Sequence, residues 1–248
     1  MPDASGVAYY ERSGSGYASR RRPDPRIAAA IADALGDARS VLNVGAGAGS
    51  YEPTDRSVVA VEPSANMAGQ RPPGSAPCVR GVAEALPFAD GAFDAAMAVL
   101  TLHHWTDWRR GIREMLRVAR RAVVLTHDPE PPFWLFDYFP AIRAHDLVRM
   151  PAVSELAALL GGGVRVVPVP HDCSDGFLGA HWREPSRYLD AAVRSGMSGF
   201  ALLSEVQLHE GLARLELDLA SGAWAERHGA LLQVGDLDIG YRLVVAER

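Results

Sequence analysis

Residues 41–49, Val-Leu-Asn-Val-Gly-Ala-Gly-Ala-Gly, constrain this chain more than any other segment. A short, largely apolar run stops directly in a turn with glycine at every second position. Glycine accepts positive φ and has no Cβ, so a ligand can press against the backbone of such a turn. The arrangement predicts a buried strand delivering a nucleotide-type ligand loop. Alone it does not say which ligand, because nicotinamide, flavin and other nucleoside binders share it. As a dinucleotide GxGxxG fingerprint it is incomplete, since the third glycine would fall at Ser50.

The surrounding pattern fits a parallel α/β sheet. Residues 25–35 place Ile27, Ile31 and Leu35 four apart among alanines, with Gly36 as the stop, which predicts a helix. Apolar runs at 41–44, 58–61, 95–100 and 122–125 alternate with helical stretches, one of them near 108–120. These predict strands covered on both faces in a doubly wound core. Residues 1–24, rich in Gly, Ser, Arg and Tyr, read as an N-terminal arm. Residues 25–128 read as the cofactor-binding core, and 129–248 as cap or substrate-binding insertions plus the last strands of the same sheet. In that last region, Pro129, Pro131 and Pro132 introduce an aromatic cluster from Phe133 to Phe139. A strand is expected at 164–169, mostly helix at 184–225, and a final strand at 239–246.

Composition removes several classes of function. All 25 cationic side chains are arginine, so Schiff-base lysine chemistry and a Walker-type phosphate lysine are excluded. A formal net charge of -5 argues against nucleic acid or an anionic membrane as partner. Cys78 and Cys173 lie far apart with no Cys/His ligand spacing, so no metal site is expected. No apolar run is long enough to span a membrane, and the N-terminus lacks the layout of a signal peptide, so the expected location is the cytoplasm.

Glu62 follows the run 58–61 at about the spacing where a carboxylate accepts the two hydroxyls of a ribose. The next segment separates the candidate cofactors. Ala83-Glu84, Leu86-Pro87-Phe88, Asp90 and Phe93-Asp94 lead into the strand at 95–100. Leu102-His103-His104 follows, and then a helix ending Leu116-Arg117-Val118 with Arg120. In order and spacing, residues 38–128 resemble the class I S-adenosylmethionine-dependent methyltransferases, in the small-molecule branch typified by ubiquinone/menaquinone-type enzymes.

The resemblance implies a mostly parallel seven-stranded Rossmann-like sheet, S-adenosylmethionine as methyl donor and S-adenosylhomocysteine as product. It implies that Gly45, Ala46 and Gly47 line the methionine part and that Glu62 holds the ribose. Pro63, Ser64 and Met67 would flank ribose and adenine, Ala83 and Glu84 would border the adenine edge, and Leu100 would sit at the end of the fourth strand beside the cofactor. Met67 reads equally well as helix core. Three positions depart from the family pattern. Asn43 stands where Asp is usual, Ala46 where Cys or Ser is usual, and Val82 where Asp often meets the adenine amino group. Valine accepts no hydrogen bond, so that contact would pass to backbone or to Glu84.

The expected reaction is O-, N- or C-methylation of a small, partly apolar or aromatic molecule, in specialised metabolism. The alternatives are a cofactor-binding protein or cyclase of the same fold, and a nicotinamide oxidoreductase. Candidate bases are His104, after the fourth strand, and His127 with Asp128, after the fifth. Their competing reading is structural. From the arm, an arginine among Arg20 to Arg22, with Arg22 the residue chosen, is expected to pair with the methionine carboxylate, and Tyr9, Tyr10 and Tyr17 could close over the cofactor. The Phe133–Phe139 aromatics, with His171, His181, Trp182, Arg183 and Tyr188, supply either acceptor-pocket walls or cap core.

Overall fold

The computed structural model describes residues 21–247. Arg20 and the three arm tyrosines lie outside them. Helix α1 (Pro25–Leu35) starts where Asp24 accepts the Arg26 N–H, with Pro25 in the first turn, and buries Ile27, Ile31 and Leu35. Strands β1 (Ser40–Val44) and β2 (Ser57–Val61) follow, then the short helix α2 (Ala65–Gly69) and the two-residue strand β3 (Cys78–Val79). Strand β4 (Phe93–Val99), helix α3 (Trp108–Val118) and strand β5 (Ala119–His127) complete the parallel part.

Beyond it come helices α4 (Leu135–Tyr138), α5 (Pro140–Arg149) and α6 (Val153–Leu160), and strand β6 (Gly163–Val166). Strand β7 (Val169–Pro170), helices α7 (Ala191–Arg194), α8 (Glu205–Ser221) and α9 (Ala223–His228), and strands β8 (Asp236–Leu237) and β9 (Tyr241–Glu247) end the chain. The seven-stranded sheet runs β3-β2-β1-β4-β5-β9-β6, with β7 and β8 paired separately. β9 lies antiparallel to both β5 and β6, and the remaining pairs of that sheet are parallel. The strand expected at 164–169 is broken in two, because Pro168 has no N–H to give to a ladder.

Alternation along the strands sorts side chains to two cores. Val41, Ala95, Met97, Val123, Leu125 and Leu243 face α1 and the cap, while Leu42, Val44, Ala96, Ala98, Val124 and Val244 face α3 and α6. Every one of these central-strand side chains is almost completely buried. The order of connection reverses between β1 and β4. Ligands of open α/β sheets bind in the crevice beyond the strand ends at such a switch point. The loops that leave β1 and β4 meet there, and they carry residues 45–49 and 100–104 respectively.

The aromatic cluster takes the structural option. Phe133, Trp134, Phe136, Tyr138 and Phe139 are all buried. Trp134 donates Nε1–H to the Trp182 carbonyl at 2.7 Å, and Trp182 donates to the Val169 carbonyl at 2.9 Å. Tyr188 is fully buried, with its hydroxyl on the Leu178 carbonyl at 2.7 Å. These rings form the core of the cap and do not line the cavities at the switch point, the second of the two readings open to them. The cause is that the cap folds back on the sheet and uses its largest apolar side chains for its own burial.

Candidate functional site

The turn after β1 is fixed by a single carbonyl. Val61 O accepts from both Gly45 N and Ala46 N, at 2.9 and 3.0 Å, which ties the loop to the neighbouring strand end. Gly45 has φ 69°, and a Cβ there would stand 2.3 Å from Thr101 Oγ1. The loops from β1 and β4 therefore approach more closely than any side chain at 45 permits. Glu62 closes the cradle, with Oε2 accepting the Gly47 N–H and Oε1 the Ser64 N–H, each at 2.8 Å. Each carboxylate oxygen retains a second lone pair, which is what a ribose diol requires. Glu62 is 6% exposed, and burial raises its pKa above the usual carboxylate value against the opposing effect of those N–H groups.

A cleft of about 960 Å³, its open mouth included, lies over this cradle. Its walls contain Gly45, Ala46, Gly47, Glu62, Pro63, Met67, Ala83, Glu84, Leu100 and His104, so ten of the expected residues come together in one place. Ser64 stands behind them. Its side chain caps α2 and its N–H fixes Glu62, so it positions the carboxylate and does not line the cleft. Met67 is both buried and on the wall. Val82 lines the cleft with a side chain that accepts no hydrogen bond. Glu84 already accepts the Asp107 N–H at 3.0 Å and ties that edge to the start of α3.

Sequence reading missed Trp105, which lines the cleft and packs against α3 where only Gly111 leaves room. A Cβ at 111 would lie 2.4 Å from the indole. Asn43 is also explained here. Its amide donates to Glu52 Oε1 at 3.0 Å, and Glu52 is held by buried Arg71 at 2.7 Å. An aspartate at 43 would oppose Glu52, so the amide and the Glu52–Arg71 pair belong together.

Of the arm arginines, Arg22 is exposed and is not on the cleft wall, where it was expected. Arg21 lines the cleft instead, bound through Nε to Asp175 Oδ1 at 2.6 Å. Tyr51, also on the wall, donates its hydroxyl to Asp175 Oδ2 at 2.8 Å. The segment that follows Arg22 is short and turns into α1, so of these two arginines only the one at position 21 faces inward. Neither Tyr51 nor Asp175 belongs to a motif, and no local signal marks them.

A second cavity, of about 600 Å³ with its mouth, adjoins the first, and Arg21 and Leu100 belong to the walls of both. Leu100 has φ 51°, a left-handed conformation that a branched side chain rarely adopts. The histidines of the 102–104 turn divide between the two spaces, with His104 on the cleft and His103 on the second cavity. Their rings lie 3.8 Å apart. Burial, with Arg149 nearby, lowers the pKa of His104 to about 3 and holds His103 well below the ordinary value. Both are neutral near pH 7, and a base of such low pKa is a weak one.

His127 is buried on the wall of the second cavity, but Asp128 is not its partner. Asp128 accepts the Glu130 N–H at 3.1 Å and lies 3.9 Å from Arg242, so its carboxylate serves the following turn and β9. Successive residues at a strand end point to opposite faces, which sends position 128 away from 127. Asp146 on α5 faces His127 Nδ1 at 3.6 Å. Among the described residues no group of three or more His, Cys, Asp and Glu side chains could hold a metal ion, and no helix is long and apolar enough to cross a membrane.

A doubly wound sheet with a glycine cradle, a buried strand-end carboxylate and an adjoining cavity defines an α/β enzyme that binds a nucleoside-type cofactor. Comparison with known proteins narrows this class. Residues 42–125 match the family described as a methyltransferase domain. A protein of Anabaena variabilis, described as a methyltransferase from an antibiotic biosynthesis pathway, is 33% identical in a match covering 92% of this chain and 99% of that one, with a TM-score of 0.86. The uncharacterized methyltransferase YcgJ of Bacillus subtilis is 29% identical over 136 residues, and the match spans 48% of this chain and about half (54%) of that protein. The [4+2]-cyclase SpnF shares the fold, at 16% identity and a TM-score of 0.55, over 98% of this chain and 94% of its own. The chain belongs to the class I S-adenosylmethionine-dependent methyltransferases, and the cradle around Glu62 fits that cofactor.

Proposed function

We propose that the protein transfers a methyl group from S-adenosylmethionine in the cleft to a small molecule seated in the adjoining cavity. S-adenosylmethionine supplies an activated methyl on a sulfonium, so the chain's task is to align the acceptor and exclude water. The observation that carries this reading is the shared wall of Arg21 and Leu100 between the two spaces. Gly45, Gly47 and Glu62 would hold the nucleoside, and Arg21 the methionine carboxylate. Phe177, Met150, Met197 and Leu178 give the second cavity an apolar side opposite charged and polar groups, which suits a partly apolar acceptor. The likeness to a relative described as belonging to an antibiotic biosynthesis pathway supports an acceptor from specialised metabolism.

Formation of S-adenosylhomocysteine, followed with a panel of small aromatic and polyketide-like acceptors, tests the reading. Turnover that requires an acceptor and is inhibited by occupying the second cavity is expected. Tight retention of the cofactor with no acceptor-dependent product would favour a non-transferring protein of the same fold.

A further inference from the structure

The charged groups on the wall of the second cavity answer one another, with Arg149 left over. Arg21 is bound to Asp175, and the Asp146 carboxylate faces His127 Nδ1 at 3.6 Å. The other ring nitrogen of His127, Nε2, stands 3.2 Å from the Ile239 carbonyl oxygen, so both sides of that imidazole are engaged. Burial holds His103 neutral near pH 7.

Arg149 lies in the last turn of α5, half-buried on the cavity wall. Asp146, one turn earlier on the same helix, would be its ordinary partner, but that carboxylate is turned to His127. Among the described residues Arg149 has no carboxylate within ion-pair distance. Its side chain makes one hydrogen bond there, from NH2 to the His103 carbonyl at 3.5 Å, which leaves most of the five N–H groups of the guanidinium unspent. That contact turns the guanidinium toward the loop after β4, where its charge adds to burial in lowering the pKa of both His103 and His104.

The sign and shape of this open charge select a ligand. A cationic acceptor would meet Arg149 with Asp146 already committed to His127. A phosphate would bring a second negative charge close to Asp146 for one open cation. A carboxylate carries a single charge, and its two coplanar oxygens match the guanidinium fork. Phe177, Leu178, Met197 and Leu202 on the same wall leave an apolar surface for the rest of the molecule.

We propose that the acceptor is a carboxylic acid with an apolar body, and that Arg149 binds its carboxylate and thereby sets specificity. This rests on the methyl-transfer reading of the same cavity, and no proton or methyl movement is assigned to Arg149.

The test uses 3-phenylpropanoate and its uncharged amide, titrated calorimetrically into the full chain loaded with S-adenosylhomocysteine, so that the outcome does not depend on transfer. The acid is expected to bind about tenfold or more tightly than the amide. The Nε–H NMR signal of Arg149 should shift with the acid and stay in place with the amide. Arg149→Met removes the charge and keeps the stem, so acid and amide should then bind alike, while Arg149→Lys should retain part of the preference. S-adenosylhomocysteine affinity, which reads the Glu62 cradle, should be unchanged in both variants and reports that they are folded. Equal binding of acid and amide by the unaltered protein overturns the proposal. So does the absence of acid binding at millimolar concentration, or a preference for the acid that survives Arg149→Met. A preference that depends on Arg149, with no S-adenosylhomocysteine formed from S-adenosylmethionine and any acceptor, would support the carboxylate site and count against the methyl-transfer reading.

Discussion

Arg21 and Asp175, separated by 154 positions in sequence, are joined through Nε and NH2 of the guanidinium to both carboxylate oxygens, at 2.6 and 3.1 Å. The Asp175 side chain is completely buried and takes two further hydrogen bonds, from the Tyr51 hydroxyl and the Gly176 N–H. The pair fastens the segment before α1 to the cap at the rim of both cavities.

Removing the guanidinium leaves a buried carboxylate short of its countercharge. Breaking such a pair from one side costs about 3–5 kcal/mol. Arg21→Ala is therefore expected to lower stability by about that amount in urea titration. Tyr51→Phe, which removes a single donor to the same carboxylate, should cost about 1–3 kcal/mol. Equal effects of the two variants would contradict the network.

Glu62 is expected to provide charge-assisted hydrogen bonds to the cofactor ribose. Glu62→Ala should weaken S-adenosylhomocysteine binding about tenfold or more in calorimetric titration, from the loss of about 1.5–3 kcal/mol. Burial raises the Glu62 pKa, so the carboxylate becomes protonated at a higher pH than an exposed glutamate would. Cofactor affinity should accordingly begin to fall, on acidification, above the ordinary glutamate pKa. An affinity flat down to that value would argue that Glu62 does not meet the ribose.

Gly45 combines a left-handed backbone with close approach to Thr101, whose Oγ1 a Cβ at position 45 would meet at 2.3 Å. Gly45→Ala should therefore separate the loops after β1 and β4 and abolish measurable binding of S-adenosylhomocysteine. Thr101→Ala in the same chain should restore part of the affinity by removing the hydroxyl and methyl that clash. The φ penalty of roughly 1–2 kcal/mol would remain.

His103 and His104 give the stability an acid dependence of defined sign. The folded-state pKa of His104 is lowered to about 3 from 6.5, and that of His103 is lowered as well. Between those two values the unfolded chain binds protons that the folded chain refuses, so stability rises with pH. Acidification from 6.5 towards 3 is thus expected to remove stability, by on the order of a few kcal/mol for His104. His104→Gln should flatten the plot of unfolding free energy against pH in this window. An unaltered slope would show that the imidazole is readily protonated in place.

The sequence alone determined the sheet core and the cofactor cradle, because both depend on short-range pattern. The four-residue spacing of Ile27, Ile31 and Leu35 specifies α1, and the apolar runs before Gly45 and Glu62 specify strands whose ends must present those residues at one edge. Ten of the expected residues meet around one cleft for that reason. What the sequence left undecided was which residues from distant segments complete the site. Asp146 sits in the middle of α5 and Asp175 in an irregular loop, and neither has a neighbour in sequence that marks it. Their roles arise only when the cap folds over the switch point and sets Asp146 against His127 and Asp175 against Arg21. The aromatic cluster of 133–139 was ambiguous for the same reason, since a buried core and a ligand wall use the same side chains. Local periodicity fixes which face of an element is apolar, but the burial of one element by another decides what that face touches.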